Sequence, residues 1–467
     1  MTVFYKKTVQ FLAFIVCQVV WINTAQGQQR STVTLQRIID SAQNHLPVLL
    51  QKRALINSAN ATVGDAYDSH LPSVKILDEL SAGSSNSTAG VYFPMSIVPS
   101  VSGSIRNSND LDPEAGNIGM LYGQYDLIDF GLSKAKVGLA KSYLGLVKSD
   151  FDKEVYLLKW QSATTYFDLL KNQYQLGIDH QNINRYKDIY RVIQTLSING
   201  LRPGVDSSQL IAELSKTRIN YNNTEGKINE LEQQLNYYTG ISTSQLFIDT
   251  SISTLNIPSP ILYDSGLNVS NNPFMSYFNR QTDYYKSNQL LIKKSYQPKI
   301  VLLGGLWGRG SGIQYNDQYK GMASGLGYQR FNYAAAVSFV YDLFDAVHRR
   351  DKMSENNFKI SASENEYNQE AEDLTINLQK ANNVINTIDQ NLKEMPLQMQ
   401  AAKDAYNQRL AQYNAGIINL IDLTNASFVL YRAQSDYVQL LDDWYTANLN
   451  KAAITGNLDQ FIQSIKK

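Results

Sequence analysis

Cysteine is almost absent, with one residue in 467, so a disulfide framework is excluded. Histidine is scarce too. His45, His70, His180 and His348 are scattered and make no metal-ligand spacing, so no metal site and no cofactor is expected. There is no excess of charge of either sign, 42 Lys+Arg standing against 42 Asp+Glu, which argues against a nucleic-acid partner. Gly-Lys-Ser/Thr loops and Gly-x-Ser-x-Gly elbows are missing. Gly304-Gly305 and Gly308-Arg309-Gly310 do not lead into a helix, so they do not read as a phosphate cradle. Catalysis therefore has no candidate residues, and a non-enzyme is expected. Long apolar runs are also lacking. The longest, Val9 to Ile22, is interrupted by Gln10 and Gln18 and falls short of the ~20 residues that span a bilayer.

That run follows Lys6 and Lys7 and precedes Ala25-Gln26-Gly27, the small-residue pattern of a cleaved export signal. Residues 1–27 are read as a signal peptide and Gln28 as the first mature residue. Cys17 lies inside the apolar run after Val16, not after a small residue, and so does not read as a lipidation site. An exported chain without a spanning helix is either soluble in the periplasm or a β-barrel. Tyrosine is abundant, with 30 residues, and suits surfaces that are half apolar and half wet.

The chain repeats itself. Tyr125-Asp126-Leu127-Ile128-Asp129 recurs 216 residues later as Tyr341-Asp342-Leu343-Phe344-Asp345. The same offset pairs Asp188 with Asp404, Gly200 with Gly416, Asp206 with Asp422 and Thr239-Gly240 with Thr455-Gly456. Upstream, Ser69-His70-Leu71-Pro72 answers Ser295-Tyr296-Gln297-Pro298 at a slightly larger offset. A fixed register over so long a stretch indicates duplication, with a first repeat at 28–250 and a second at 251–467.

Each repeat reads helix, two strands, long helix, tight turn, helix. From Tyr367 through Leu374, Ala381, Ile388, Met395 and Ala402, apolar residues step by four and three, as in a coiled-coil seam. Pro396 is expected to kink that helix. The first repeat has a mixed seam of Val155, Ser162, Leu169, Leu176, Ile183 and Tyr190. Helices of ~65 residues would each be roughly 100 Å long. Period-two alternation marks strands at 74–82, 117–129, 299–309 and 331–343, with Phe331, Tyr333, Val337 and Phe339 on one face. Residues 83–116 and 311–327 read as Gly/Ser/Asn-rich loops, the first holding the apolar stretch 91–101. Asp110, Asp112 and Glu114 read as a solvated acidic loop in preference to a Ca²⁺ site. Four strands cannot close a barrel, whose minimum is about eight, so a barrel would be shared between chains.

The doubled strand pair and helical hairpin, with Leu71-Pro72, Gln297-Pro298, the Tyr-Asp-Leu junctions and the turn Tyr413-Asn414-Ala415-Gly416, resemble the TolC outer-membrane efflux family. The resemblance covers the whole mature chain. It implies an α+β membrane protein, a homotrimer whose twelve strands, four per chain, form one β-barrel continued by an antiparallel α-helical coiled-coil barrel. It further implies a passive channel-tunnel in the outer membrane of a Gram-negative bacterium, its helical part in the periplasm. The partners implied are a periplasmic adaptor (membrane fusion) protein, an inner-membrane pump or ABC exporter, and outer-membrane lipid. The family's gate positions fall on Gly200, Asp206, Tyr413, Gly416 and Asp422. Asp206 and Asp422 also suit the first turns of the returning helices, so helix capping is an alternative for either. Asn425 and Ile418 stand where some relatives carry an Asp and an Arg, which removes a second acidic ring and an ion-pair latch. A barrel-anchored trimeric coiled-coil scaffold or adhesin without a gated lumen is the alternative function.

Overall fold

The computed structural model describes residues 33–84, 108–199, 204–246, 269–313 and 318–465, with Asn86 and Ile248. The proposed signal peptide, the cleavage point before Gln28, the stretch 91–101 and Gly200 lie outside the described residues.

The elements in chain order are α1 (Leu35–His45), α2 (Pro47–Asp68), β1 (Ser73–Gly83), β2 (Glu114–Ile128), α3 (Leu132–Ile198) and α4 (Gly204–Thr239). There follow α5 (Pro273–Ser295), β3 (Lys299–Ser311), α6 (Met322–Gly325), β4 (Arg330–Val340), α7 (Asp345–Asn414), α8 (Leu420–Ile454) and α9 (Leu458–Ser464). The duplication is visible in where elements stop and start. Arg330 begins β4 216 residues after Glu114 begins β2; Asn414 ends α7 216 after Ile198 ends α3; Leu420 opens α8 216 after Gly204 opens α4. Thr239 and Thr455 each bond back to the carbonyl four residues earlier, and Gly240 and Gly456 then take positive φ (69° and 77°), so both returning helices end by the same device.

Two expectations change. Strand β2 starts at Glu114, three residues inside the segment read as a loop, because Glu114 anchors it: its carboxylate accepts from the Gly321 amide at 2.9 Å. The second loop is not plain coil, since it holds α6 and an Ile313–Tyr319 bridge. Helix α7 extends from Asp345 to Asn414 with Pro396 inside it.

The chain divides into two compact units, each taking segments from both repeats. One comprises residues 52–151 and 276–369 and holds the sheet, a single antiparallel set in the order β1-β2-β3-β4. Among the described residues, β1 and β4 each pair on one side only. Register explains the two faces. Val74, Gly123, Gly304 and Ala335 lie in one row, Ile76, Leu121, Leu306 and Tyr333 in the next, and Asp78, Gly119, Gly308 and Phe331 in the third. This face is apolar and bare, with Ile76 85% and Tyr333 83% exposed. Its one carboxylate is satisfied: the Tyr328 hydroxyl donates to Asp78 at 2.7 Å. That ring lies over Gly119, where a Cβ would come within 2.3 Å of its hydroxyl oxygen, so any larger residue would displace the tyrosine. The opposite face carries Lys75, Glu79, Arg309, Arg330 and Asn332 around Trp307 and Met120. In the same unit, α5 meets α3 and α7 through small polar groups, Ser142 with Ser287 at 2.6 Å and Thr282 with Ser363 at 2.7 Å.

The other unit comprises the described parts of 1–51, 152–275 and 370–467. Its main core joins Leu35, Ile38 and Ile39 of α1, Phe167 and Leu169 of α3, Leu231 and Leu235 of α4, Leu449 of α8 and Phe461 of α9. Phe167 stacks on Tyr445 with centroids 4.9 Å apart and meets Phe461 edge-on. A second cluster seats Ile388, Leu392 and Met395 of α7 on Leu440, Leu441 and Trp444 of α8. Each fully buried side chain of this size contributes about 1.5–3 kcal/mol.

Candidate functional site: the paired helical tips

The turn between α7 and α8 follows from three residue choices. Gly416 takes φ +74°, which lets the Ile417 amide reach back to the Gln412 carbonyl (2.9 Å) and the Gly416 amide to that of Tyr413 (3.0 Å). This is the double bond of a Schellman stop, and it needs the left-handed residue that glycine supplies without steric cost. Asn419, extended at φ −85° and ψ 171°, then opens α8, its side-chain oxygen accepting from the Asp422 amide at 2.9 Å.

The cap of α8 is thus Asn419, and Asp422 contributes its backbone to that cap. The Asp422 carboxylate is left half-buried in the first turn, where the helix dipole favours a negative group. In the first repeat α3 ends at Ile198, α4 begins at Gly204, and Asp206 likewise lies in the first turn of its helix. Gly200 is not among the described residues.

Both tips are brought together. Ile183, Tyr186, Ile189 and Ile193 of α3 and Leu210 and Leu214 of α4 form one apolar cluster with Tyr413, Leu420 and Leu423 of the second repeat. Tyr413 is buried in that cluster and Ile418 packs against it, whereas Asn425 is exposed on α8. Four of the five sequence-expected positions therefore lie on or beside the two first turns that this cluster joins.

Above the tips is a polar layer that the sequence did not announce. Asp179 of α3, 1% exposed, accepts from Gln175 (2.9 Å), from the Tyr431 hydroxyl of α8 (2.9 Å) and from the Thr224 hydroxyl of α4 (2.7 Å). Arg185 donates to Asn182 at 3.1 Å and to Gln434 at 3.2 Å, its guanidinium carbon 6.0 Å from the Tyr406 ring centroid. The available signal was spacing: Asp179, Asn182, Tyr186, Ile189 and Ile193 step by three and four and all are buried. Two polar residues in that stripe hid it. Further along, the buried Asp442 of α8 pairs with Lys171 of α3 at 3.3 Å, and burial pushes its carboxyl up to about 6. Burial raises Asp168 beside them as well, partly offset by Lys171.

Residues 303–457 match the family model of the outer membrane efflux protein. That segment resembles an outer membrane efflux protein. Solved structures similar to the whole chain include the CmeC outer membrane channel of Campylobacter jejuni, at TM-score 0.74 and 15% identity, covering 92% of this chain and 88% of that one. The outer membrane protein VceC of Vibrio cholerae follows at TM-score 0.72 and 14% identity, covering 90% and 96%. CusC, described for its transmembrane channel formation, gives 0.74 and 13%, covering 90% and 92%. No curated protein matches the sequence. The matched segment takes in β3 from Leu303, β4, the full length of α7 and α8, and the Gly416 turn. The chain has the fold of these outer-membrane proteins over nine-tenths of its length.

Proposed function

We propose that the chain is one protomer of a homotrimeric outer-membrane channel-tunnel, the passive exit duct of a tripartite efflux or secretion system. The observation that carries this reading is the sheet: four strands, two unpaired edges, and one bare apolar face with glycines where neighbours crowd. An edge row of free amides and carbonyls is stable in a bilayer only if another chain pairs it, and three copies make twelve strands. The apolar face would meet lipid and the face with Lys75, Glu79 and Arg309 would line the lumen. The helical unit would stand in the periplasm, where an adaptor protein and an inner-membrane pump or ABC exporter engage it. Energy for transport would come from that transporter, and the cargo, whether drug, metal or polypeptide, would be chosen by it.

The tips are the proposed inner gate, with Gly200 and Gly416 at the turns, Asp206 and Asp422 on the first helical turns and Tyr413 packed behind. Three-fold symmetry would set three Asp422 carboxylates around one axis, a ring that attracts cations. Without an acidic residue at position 425 it is a single ring. Planar-bilayer recordings test both parts. The purified full chain is expected to give stable channels that a trivalent cation blocks from the tip side, with block weakened in Asp422→Asn and less changed in Asp206→Asn. Absence of channels would refute the duct, and equal block in all three proteins would remove Asp422 from the gate.

A further inference from the structure

South of neither tip, but where α7 and α8 run beside α3, the helical unit has a groove that close packing does not fill. The α7 seam shrinks to Ala381 where α8 presents Ala447 and Ala453, and two adjoining hollows open there, of about 420 and 580 Å³. They share Val384, Ala447 and Asn450. Each has the size of a small-molecule cleft. One hollow is walled by Trp160, Phe274 and Leu374. The Trp160 indole is held in place, its Nε1 donating to Asn450 Oδ1 at 3.0 Å. The other is lined by Asp168, Asp442 and Asp443, and Glu370 stands at the apolar end against a single lining cation, Lys380.

Asp442 is the telling group. It is 9% exposed, Lys171 engages its Oδ2, and its Oδ1 is buried with no hydrogen-bond partner. A buried carboxylate oxygen without a partner is costly, and Asp442 is one of three aspartates in the lining of its hollow. A metal ion would need several carboxylate or histidine ligands converging, and among the described residues no such group of three exists. An organic cation needs one carboxylate and an apolar wall, and both are present.

We propose that this groove binds a lipophilic organic cation, its positive charge at Asp442 and its apolar body against Trp160, Phe274 and Leu374. Binding here requires neither a pore nor a gate, so it stands or falls apart from the duct reading. Fluorescence anisotropy with rhodamine 6G, on the full chain in non-ionic detergent at pH 8 and against detergent alone, tests it. Saturable binding is expected, weakened about tenfold in Asp442→Asn, the size of effect of losing one charged partner. Val384→Phe at the half-exposed rim should narrow both hollows and weaken binding also, and it serves where Asp442→Asn perturbs assembly. Anionic fluorescein should show no saturable binding. Equal affinity in wild type and both variants, equal binding of fluorescein, or no saturable binding of rhodamine 6G would each overturn the proposal. Saturable dye binding abolished by an added adaptor protein but untouched by Val384→Phe would place the dye on a protein-docking surface instead and overturn it as well.

Discussion

Helices α3 and α7 occupy the same place in two copies of one duplicated plan, yet they are buried very differently. Around Phe167, α3 is enclosed by α1, α4, α8 and α9. Between Leu374 and Ala402, α7 is buried along one stripe, which lies on α8. Elsewhere α7 buries only isolated positions such as Asn356, Ser363 and Tyr413, while Phe358 (75% exposed) and Leu397 (69%) stand bare on it. A repeat thus fixes where a helix starts and stops, while the environment of each copy is set by what else the chain packs there. On the trimer reading, the bare surface of α7 around Phe358 is where another protomer would lie.

The largest effect should come from the enclosed helix. Phe167→Ala removes an aromatic from a five-helix core and is expected to cost about 3–5 kcal/mol, with Leu392→Ala on α7 nearer the lower end of about 2–5 kcal/mol. Thermal melts of the detergent-solubilised protein would compare them; a larger loss for Leu392→Ala would reverse the contrast.

Next in size is the Asp442–Lys171 pair between α3 and α8. The Asp442 carboxyl is raised by burial, so the folded protein holds its proton more tightly than the unfolded chain does. Its contribution is complete below the ordinary carboxylate range and is lost as pH rises through about 6. Lys171 opposes that loss, and Asp168 and Asp443 add to it. Melting temperature should therefore fall between pH 4 and pH 7, and Asp442→Asn should flatten the slope without abolishing it, since Asp168 shifts the same way. An unchanged slope in the variant would show that the pair is not what titrates.

Smaller still are the tip changes. Asn419→Ala should cost about 1 kcal/mol of local stability as a lost cap, read by amide exchange at Leu420 to Leu423, whereas Asp422→Asn loses only a dipole interaction of about 0.3–1 kcal/mol. A greater loss for Asp422→Asn would make it the cap after all. Smallest for the isolated chain is Phe358→Ser, within about 0.5 kcal/mol for an exposed site. If another copy covers Phe358, the same change lowers trimer yield in cross-linking while leaving helix content intact.

The seam of α7 was legible because it is nearly all apolar: Leu374, Ala381, Ile388, Leu392, Met395 and Ala402 are buried as their spacing requires. The strand faces were legible for the same reason, alternation being the only pattern that suits one apolar side. Asp179 and Asn182 were not, since polar residues at seam positions look like surface until their partners are seen, groups on three helices for Asp179 and Arg185 for Asn182. Nor could the cap be assigned between Asn419 and Asp422 from sequence, as both residue types cap helices and only backbone geometry separates them.

The mass of the full chain extracted in mild detergent, by light scattering or native mass spectrometry, tests the central claim most directly. On the trimer reading the β1 and β4 edges of three copies close one barrel, so the particle should have three times the mass of one chain. A monomer with its strand signal intact by circular dichroism would contradict the shared barrel and the duct built on it.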